Sequence, residues 1–421
     1  MAMPSADTSL ATPDSARERV QVLSLATIGF TLFFAVWVMF AIVGIPLRDE
    51  LGLSDGEFAL LVAIPILTGS VLRVPMGLLT DQLGGRVVFT ALLLVTAVPT
   101  FLVSRAESYV TLVVLAFCLG LAGTSFAVGI TWVSAWYPRH RQGFALGMFG
   151  AGNVGASVTK LLAPTLVALV ATGGAAGGVI PGGWRFVPFV YSLALIAMAA
   201  VVWSVSPTPD PRPGRGRPLE ELLRPLRVVR VWRFGLYYII VFGAYVALAL
   251  WLPKYYVDVY GFDLKAAGLL ASLFVFPASL LRPFGGYLSD RLGARPVTYT
   301  AFIVMCLAFA ALTVSMGPWL FTVLVVVVGA MMGIGKASVF KYIPEYFPRD
   351  VGAVGGLVGA IGGLGGFVLP LVFAWAEGAS GRPQSIFLVL LVCAIVSLAW
   401  LHVIVWRTRR VAASVAEGVV P

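Results

Sequence analysis

Charge is what this chain has least of. Lys, Arg, Asp and Glu make up 11% of its 421 residues, less than half the share of an ordinary soluble domain. Carboxylates are the scarcer sign, 19 against 29 Lys and Arg, and none falls in the middle of a predicted helix. Histidine occurs only as His140 and His402. Cysteine occurs only as Cys118, Cys306 and Cys393, each inside an apolar run and read as packing. These shortages exclude a disulfide framework and a Cys/His metal cluster. No catalytic residue, metal or cofactor is expected, and the chain is not read as an enzyme. The opening MAMPSADTSLATPDSARERV has no apolar stretch behind a basic one. It is read as a short disordered tail and not a cleavable signal peptide.

Apolar length is there in abundance. Hydrophobic residues make up 59% of the chain, and the mean hydropathy is +0.96. A membrane-spanning helix needs about 20 apolar residues. Twelve segments meet that need, at 25–46, 57–79, 86–104, 108–136, 143–171, 184–206, 232–257, 266–289, 295–315, 318–346, 352–376 and 383–406. The chain is therefore expected to be an all-α integral membrane protein in contact with the lipid bilayer. The net charge of +10 does not point to nucleic acid. Eighteen of the 29 Lys and Arg lie in the tails, the linker and alternate loops, and six lie in the opposite loops. That bias predicts both termini and the linker in the cytoplasm of a bacterial cell, with the chain in its inner membrane. The other five, Arg73, Lys160, Arg282, Lys336 and Lys341, fall inside predicted helices.

The chain repeats itself. LRVPMGLLTDQLGGR at 72–86 matches LRPFGGYLSDRLGAR at 281–295, and YPRHRQGFALGMFGAGNVG at 137–155 matches FPRDVGAVGGLVGAIGGLGG at 347–366. A Pro-, Gly- and Arg-rich linker at 207–231 separates the copies. The predicted organisation is a tail at 1–24, a six-helix bundle at 25–206, the linker, a second six-helix bundle at 232–406 and a tail at 407–421. Parallel repeats of this kind place a site between the halves at mid-depth. Two glycine-rich segments, 143–164 and 352–370, carry small residues every fourth position, which lets helix backbones approach closely. Asn153 is the polar side chain in the first stripe.

Arg73 and Arg282 occupy the same place in the two copies, about 10 Å of helical rise from the ends of their helices. An arginine in mid-membrane costs at least ~2.5–3.5 kcal/mol, and no mid-helix carboxylate is available to pair with it. The pair therefore predicts an anionic ligand, and the planar guanidinium fork suits a flat oxyanion. Lys160, Lys336 and Lys341 have two readings. A buried lysine can carry a proton, or it can merely raise the potential of a pore. Asp81, Arg86, Asp290 and Arg295 sit in the repeated turns, where a cap and salt-bridge latch for gating is expected.

The doubled turn motif and the basic linker resemble the major facilitator superfamily. Within it the glycine-rich segments GAGNVGASV and GAIGGLGGFVLP, with the arginines in Leu72-Arg73-Val74-Pro75 and Leu281-Arg282-Pro283, resemble the nitrate/nitrite porter family. The resemblance runs from the first helix to the last. It implies two pseudo-symmetric six-helix bundles that rock around one planar anion. Arg73 and Arg282 would clamp the anion, Asn153 and Tyr238 would hydrogen-bond to it, and Phe34, Phe126 and Phe242 would wall it. The lysines are similar to the branch that couples nitrate to protons, so nitrate import with protons is expected, with nitrate/nitrite exchange as the alternative. A non-transporting anion sensor is the alternative of another class. The protein is expected to be a monomer.

Overall fold

A computed structural model of the chain describes residues 15–416. The first half contains α1 (Ser15–Trp37), α2 (Phe40–Leu51), α3 (Asp55–Val71), α4 (Arg73–Leu83), α5 (Gly85–Val103), α6 (Tyr109–Leu119), α7 (Leu121–Trp136), α8 (Gln142–Gly150), α9 (Gly155–Leu169) and α10 (Phe186–Val205). The short α11 (Leu219–Leu223) lies in the linker. The second half contains α12 (Val229–Tyr238), α13 (Ala244–Tyr260), α14 (Leu264–Leu280), α15 (Arg282–Leu292), α16 (Ala294–Leu312), α17 (Pro318–Tyr346), α18 (Val351–Ser380) and α19 (Ser385–Ala416). No strand occurs among the described residues.

Among the described residues, ten helices are long and apolar enough to cross a membrane, or eleven if the bent pair α3–α4 is one span. The expected fifth span is missing from that count because a 3-10 turn, Ala151–Val154, divides it into α8 and α9, each too short alone. With it there are six spans on each side of the linker. An even number brings the chain back, so the start of α1, the linker and the end of α19 share one end of the molecule, called here the linker end.

The helix ends depart from the sequence expectation in two places. α1 begins at Ser15 instead of residue 25, and Val22 and Leu23 are buried, so the latter part of the expected tail belongs to the bundle. Residues 1–14 lie outside the described part. α4 and α15 also continue to Leu83 and Leu292, which puts Asp81 and Asp290 inside helices rather than in turns.

The glycine stripes do what their spacing predicts. A Cβ on Gly143 would lie 2.5 Å from the Gly286 carbonyl oxygen, and one on Gly147 would lie 2.5 Å from that of Arg282. On the other side, a Cβ on Gly352 would lie 2.3 Å from the Gly77 carbonyl oxygen, and one on Gly356 would lie 2.8 Å from that of Arg73. The two halves thus meet backbone to backbone along α8–α15 and α4–α18, and this closes the linker end. The contacts face the two arginine helices, so the same small residues that let the halves approach also deliver the arginines to the interface.

Candidate functional site

Five of the predicted ligand side chains sit where a helix departs from regular geometry. The helix bends by 43° between α3 and α4. Pro75 has no N–H to return to the Val71 carbonyl, and Pro283 has none for that of Ser279. Each break places its arginine at the first residue of the new helix. Asn153 lies in the 3-10 turn between α8 and α9. Tyr238 and Phe242 lie at a π-turn, Ile239–Gly243, between α12 and α13, and such turns are frequent at functional sites.

Both arginines are buried, with 1% and 0% exposure. Arg73 Nε donates to the Gly123 carbonyl at 3.1 Å and its Nη1 donates to that of Gly359 at 2.5 Å. Arg282 Nη1 donates to the Gly150 carbonyl at 3.2 Å, and its Nη2 donates to the Tyr238 hydroxyl at 3.3 Å. No carboxylate pairs with either guanidinium among the described residues. Arg282 Nε has no partner at all. Phe126 stands between the two. Its ring centroid is 5.4 Å from the Arg73 Cζ and 5.2 Å from the Arg282 Cζ. Phe242 lies parallel to Phe126 at 6.3 Å and also faces Arg73. Tyr238 stacks between 5.1 and 6.1 Å from these two rings. The result is a buried, cationic slot with flat walls and too few acceptors for its donors.

Asn153 is fully buried, and neither its Oδ1 nor its Nδ2 has a partner. It lies three residues from Gly150, whose carbonyl accepts from Arg282. A buried unpaired polar group costs about 1–3 kcal/mol, and a ligand accepting from Nδ2 would remove the donor's share of that cost. Phe34 is one shell out, joined to Phe126 through Phe30. It lines a narrow cleft of about 70 Å³ on the side of the arginines away from the linker, together with Trp37, Tyr245 and Lys160.

The three lysines do not converge. Lys160 opens onto that cleft. Lys336 is fully buried, donates to the Ala278 carbonyl at 3.1 Å and lies 3.2 Å from the Tyr245 ring centroid. Lys341 belongs to the closed linker end, where it pairs with Asp290 at 2.6 Å and donates to the Arg139 carbonyl.

The repeated motif forms its latch with the carboxylates rather than the arginines. Asp290 also accepts from the Gly143 and Phe144 N–H groups at 2.9 and 2.7 Å, at the start of α8 in the other half. Asp81 is buried against the start of α18, where a Cβ on Gly352 would lie 2.4 Å from its Oδ2. Arg86 instead donates to the Trp203 carbonyl at 2.6 Å, and Arg295 donates to the Tyr346 hydroxyl at 2.9 Å, each within its own half. The expected salt bridge of the turn is therefore supplied by Lys341 and not by either motif arginine.

Sequence reasoning missed Trp37, whose ring lies 5.6 Å from the Arg73 Cζ, and Tyr245. A usable signal existed for the pairing of Phe126 with Lys336. Setting Tyr137-Pro138-Arg139 over Phe347-Pro348-Arg349 places these two residues in register.

Two six-helix halves closing on a buried cationic slot define a membrane carrier rather than a hydrolase or a receptor domain. The family model of the Major Facilitator Superfamily matches residues 25–270 and 260–419. A protein of Thermus thermophilus named "Probable nitrate/nitrite antiporter NarK1" is 54% identical, over 93% of this chain and 92% of its own length. The "Nitrite extrusion protein" of Bacillus subtilis (strain 168) is 32% identical over 93% and 96%, and a "Probable nitrate transporter NarT" of Staphylococcus epidermidis is 30% identical over 91% and 95%. The fold is also that of the E. coli fucose:proton symporter FucP, with a TM-score of 0.71 at 15% identity over 92% of this chain and 99% of that one. The chain belongs to the major facilitator superfamily and, within it, to the nitrate/nitrite porter family. It is a multi-pass membrane transporter and not an enzyme.

Proposed function

We propose that the protein imports nitrate across a bacterial inner membrane, with both termini and the linker in the cytoplasm. The observation that carries this reading is the slot itself. Two guanidinium groups without carboxylate partners flank one aromatic ring, with an unpartnered amide one turn away. A flat monovalent oxyanion supplies the acceptors that the donors lack. The halves meet at the linker end while a cleft lies on the other side. This conformer then receives the anion from outside, and rocking of the halves would deliver it inward.

Entry of a monovalent anion into a cell that is negative inside opposes about 2.3 kcal/mol per 100 mV, so import needs coupling. The preferred reading is proton symport through Lys336. It is fully buried, has no carboxylate partner among the described residues and stands in the repeat position of Phe126 beside the slot. Lys160 would draw anions into the cleft, and Lys341 would hold the latch. A second reading, nitrate/nitrite exchange, is favoured by the printed name of the 54% identical relative. Nitrate uptake into proteoliposomes decides between them. Symport requires uptake driven by an inward proton gradient into empty vesicles, and loss of its pH dependence in Lys336→Ser but not in Lys160→Gln. Uptake that needs internal nitrite and ignores the gradient would establish exchange and leave the lysines an electrostatic role.

A further inference from the structure

The linker is a docked element. Asp210 anchors it to the first half, accepting from the Arg86 N–H at 2.9 Å, Trp132 Nε1–H at 3.0 Å and Trp136 Nε1–H at 3.1 Å. The burial that accompanies these bonds still pushes the Asp210 carboxyl above the ordinary carboxylate range. Four residues on, the Gly214 N–H donates to the Asp81 carbonyl at 2.9 Å. A Cβ at Gly214 would lie 2.9 Å from that of Asp81, so the approach requires glycine.

The chain then crosses to the second half. Arg217 forms an ion pair with Asp350 at 2.8 Å and donates to the Arg349 carbonyl at 3.0 Å, immediately before α18. Glu221 holds the same guanidinium from behind at 2.9 Å. Leu222 is fully buried between Leu78 of one half and Ala353 of the other. The linker therefore spans the α4–α18 contact, the one whose carboxylate, Asp81, has no cation of its own. At the α8–α15 contact that place is filled from within by Lys341.

We propose that the linker is a strap on the gate, with Arg217 and Asp350 as positioning residues that hold the linker end shut. Parting the halves separates α18 from α4 while Asp210 and Gly214 stay with the first half. Only two residues, Arg215 and Gly216, separate Gly214 from Arg217, and they are folded into a turn closed by the Arg217 N–H to the Gly214 carbonyl at 3.2 Å. Opening must therefore unfold that turn or break the bridge to Asp350. Either cost favours the closed linker end and sets the balance between the two access states.

The test measures distance and needs no transported solute, so its result stands whether or not nitrate is the substrate. Spin labels at Leu83→Cys and Glu345→Cys, both exposed at the linker end and in opposite halves, are placed in the full chain. Cys118, Cys306 and Cys393 are replaced by serine, and the protein is held in lipid nanodiscs. In Arg217→Glu and in Asp350→Arg the long-distance population is expected to rise about two- to fivefold, the range for a partly exposed ion pair. The double swap Arg217→Glu/Asp350→Arg is expected to return it to the starting value. Distance distributions that do not move in either single variant, or a double swap as open as the singles, would overturn the proposal. If a charge reversal does not yield folded protein, Asp350→Asn and Leu222→Ala replace it with the same expected direction.

Discussion

The two halves share the helix break before each arginine and the glycine contact at each latch, and carry different chemistry at both the latches and the slot. Asp290 is held by two N–H groups of α8 and by Lys341, whereas the equivalent Asp81 faces the Gly352 and Ala353 N–H groups of α18 with no ion-pair cation among the described residues. In the repeat register Lys341 faces Thr131, and Lys336 faces Phe126. The first half supplies an aromatic wall where the second supplies a cation. Duplication fixed the scaffold, and divergence at these pairs gave one half the rigid latch and the other a latch completed by the linker. Two arginines, by contrast, are the same in both halves, as the proposed clamp on a planar anion requires.

That last equivalence is the easiest to break. Arg73→Lys and Arg282→Lys should each weaken nitrate uptake about 100-fold or more and to the same degree, since an ammonium cannot replace the bidentate fork. Uptake kinetics in proteoliposomes check this, and near-normal affinity in either variant would remove the two-arginine clamp. The latches should respond unequally. Asp290→Asn leaves Lys341 buried without its anion and should lower stability by about 3 kcal/mol. Asp81→Asn breaks no ion pair and keeps an acceptor for the α18 N–H groups, and a loss of about 1 kcal/mol or less is expected. Thermal unfolding of the two purified variants measures the difference, and equal losses would show that the latches are equivalent after all.

Asn153→Ala should weaken nitrate binding about tenfold with little loss of stability, because in the unliganded slot its amide has no partner to lose. A stability loss with unchanged affinity would make it a packing residue. Lys336→Phe makes the second half like the first at this position. It should flatten the pH dependence of uptake while leaving any nitrite-driven exchange. The effect on affinity should be the smallest of the set, since Lys336 bonds to Ala278 and faces Tyr245 in this conformer.

Much of this was legible in the sequence. A span announces itself because twenty apolar residues have no other stable setting, and a duplicated motif reports symmetry by its register alone. Arg73 and Arg282 could be singled out because a mid-membrane charge without a carboxylate needs a reason. The glycine stripes could be read because only a close neighbour makes such a helix worthwhile in a bilayer. The tertiary structure decided the rest. The 3-10 turn at Asn153 and the π-turn after Tyr238 carry no local signature, because departures from i to i+4 bonding are imposed by what packs against the helix. The lysines looked alike in one dimension and separated into cleft, slot and latch, since helical depth fixes how far a side chain lies from an end but not which neighbour it meets. The linker read as a tether from its Pro, Gly and Arg. Its bonds to Arg86, Trp132, Trp136 and Asp350 join residues more than 70 positions apart, and the last of them exists only while both halves are closed beneath it.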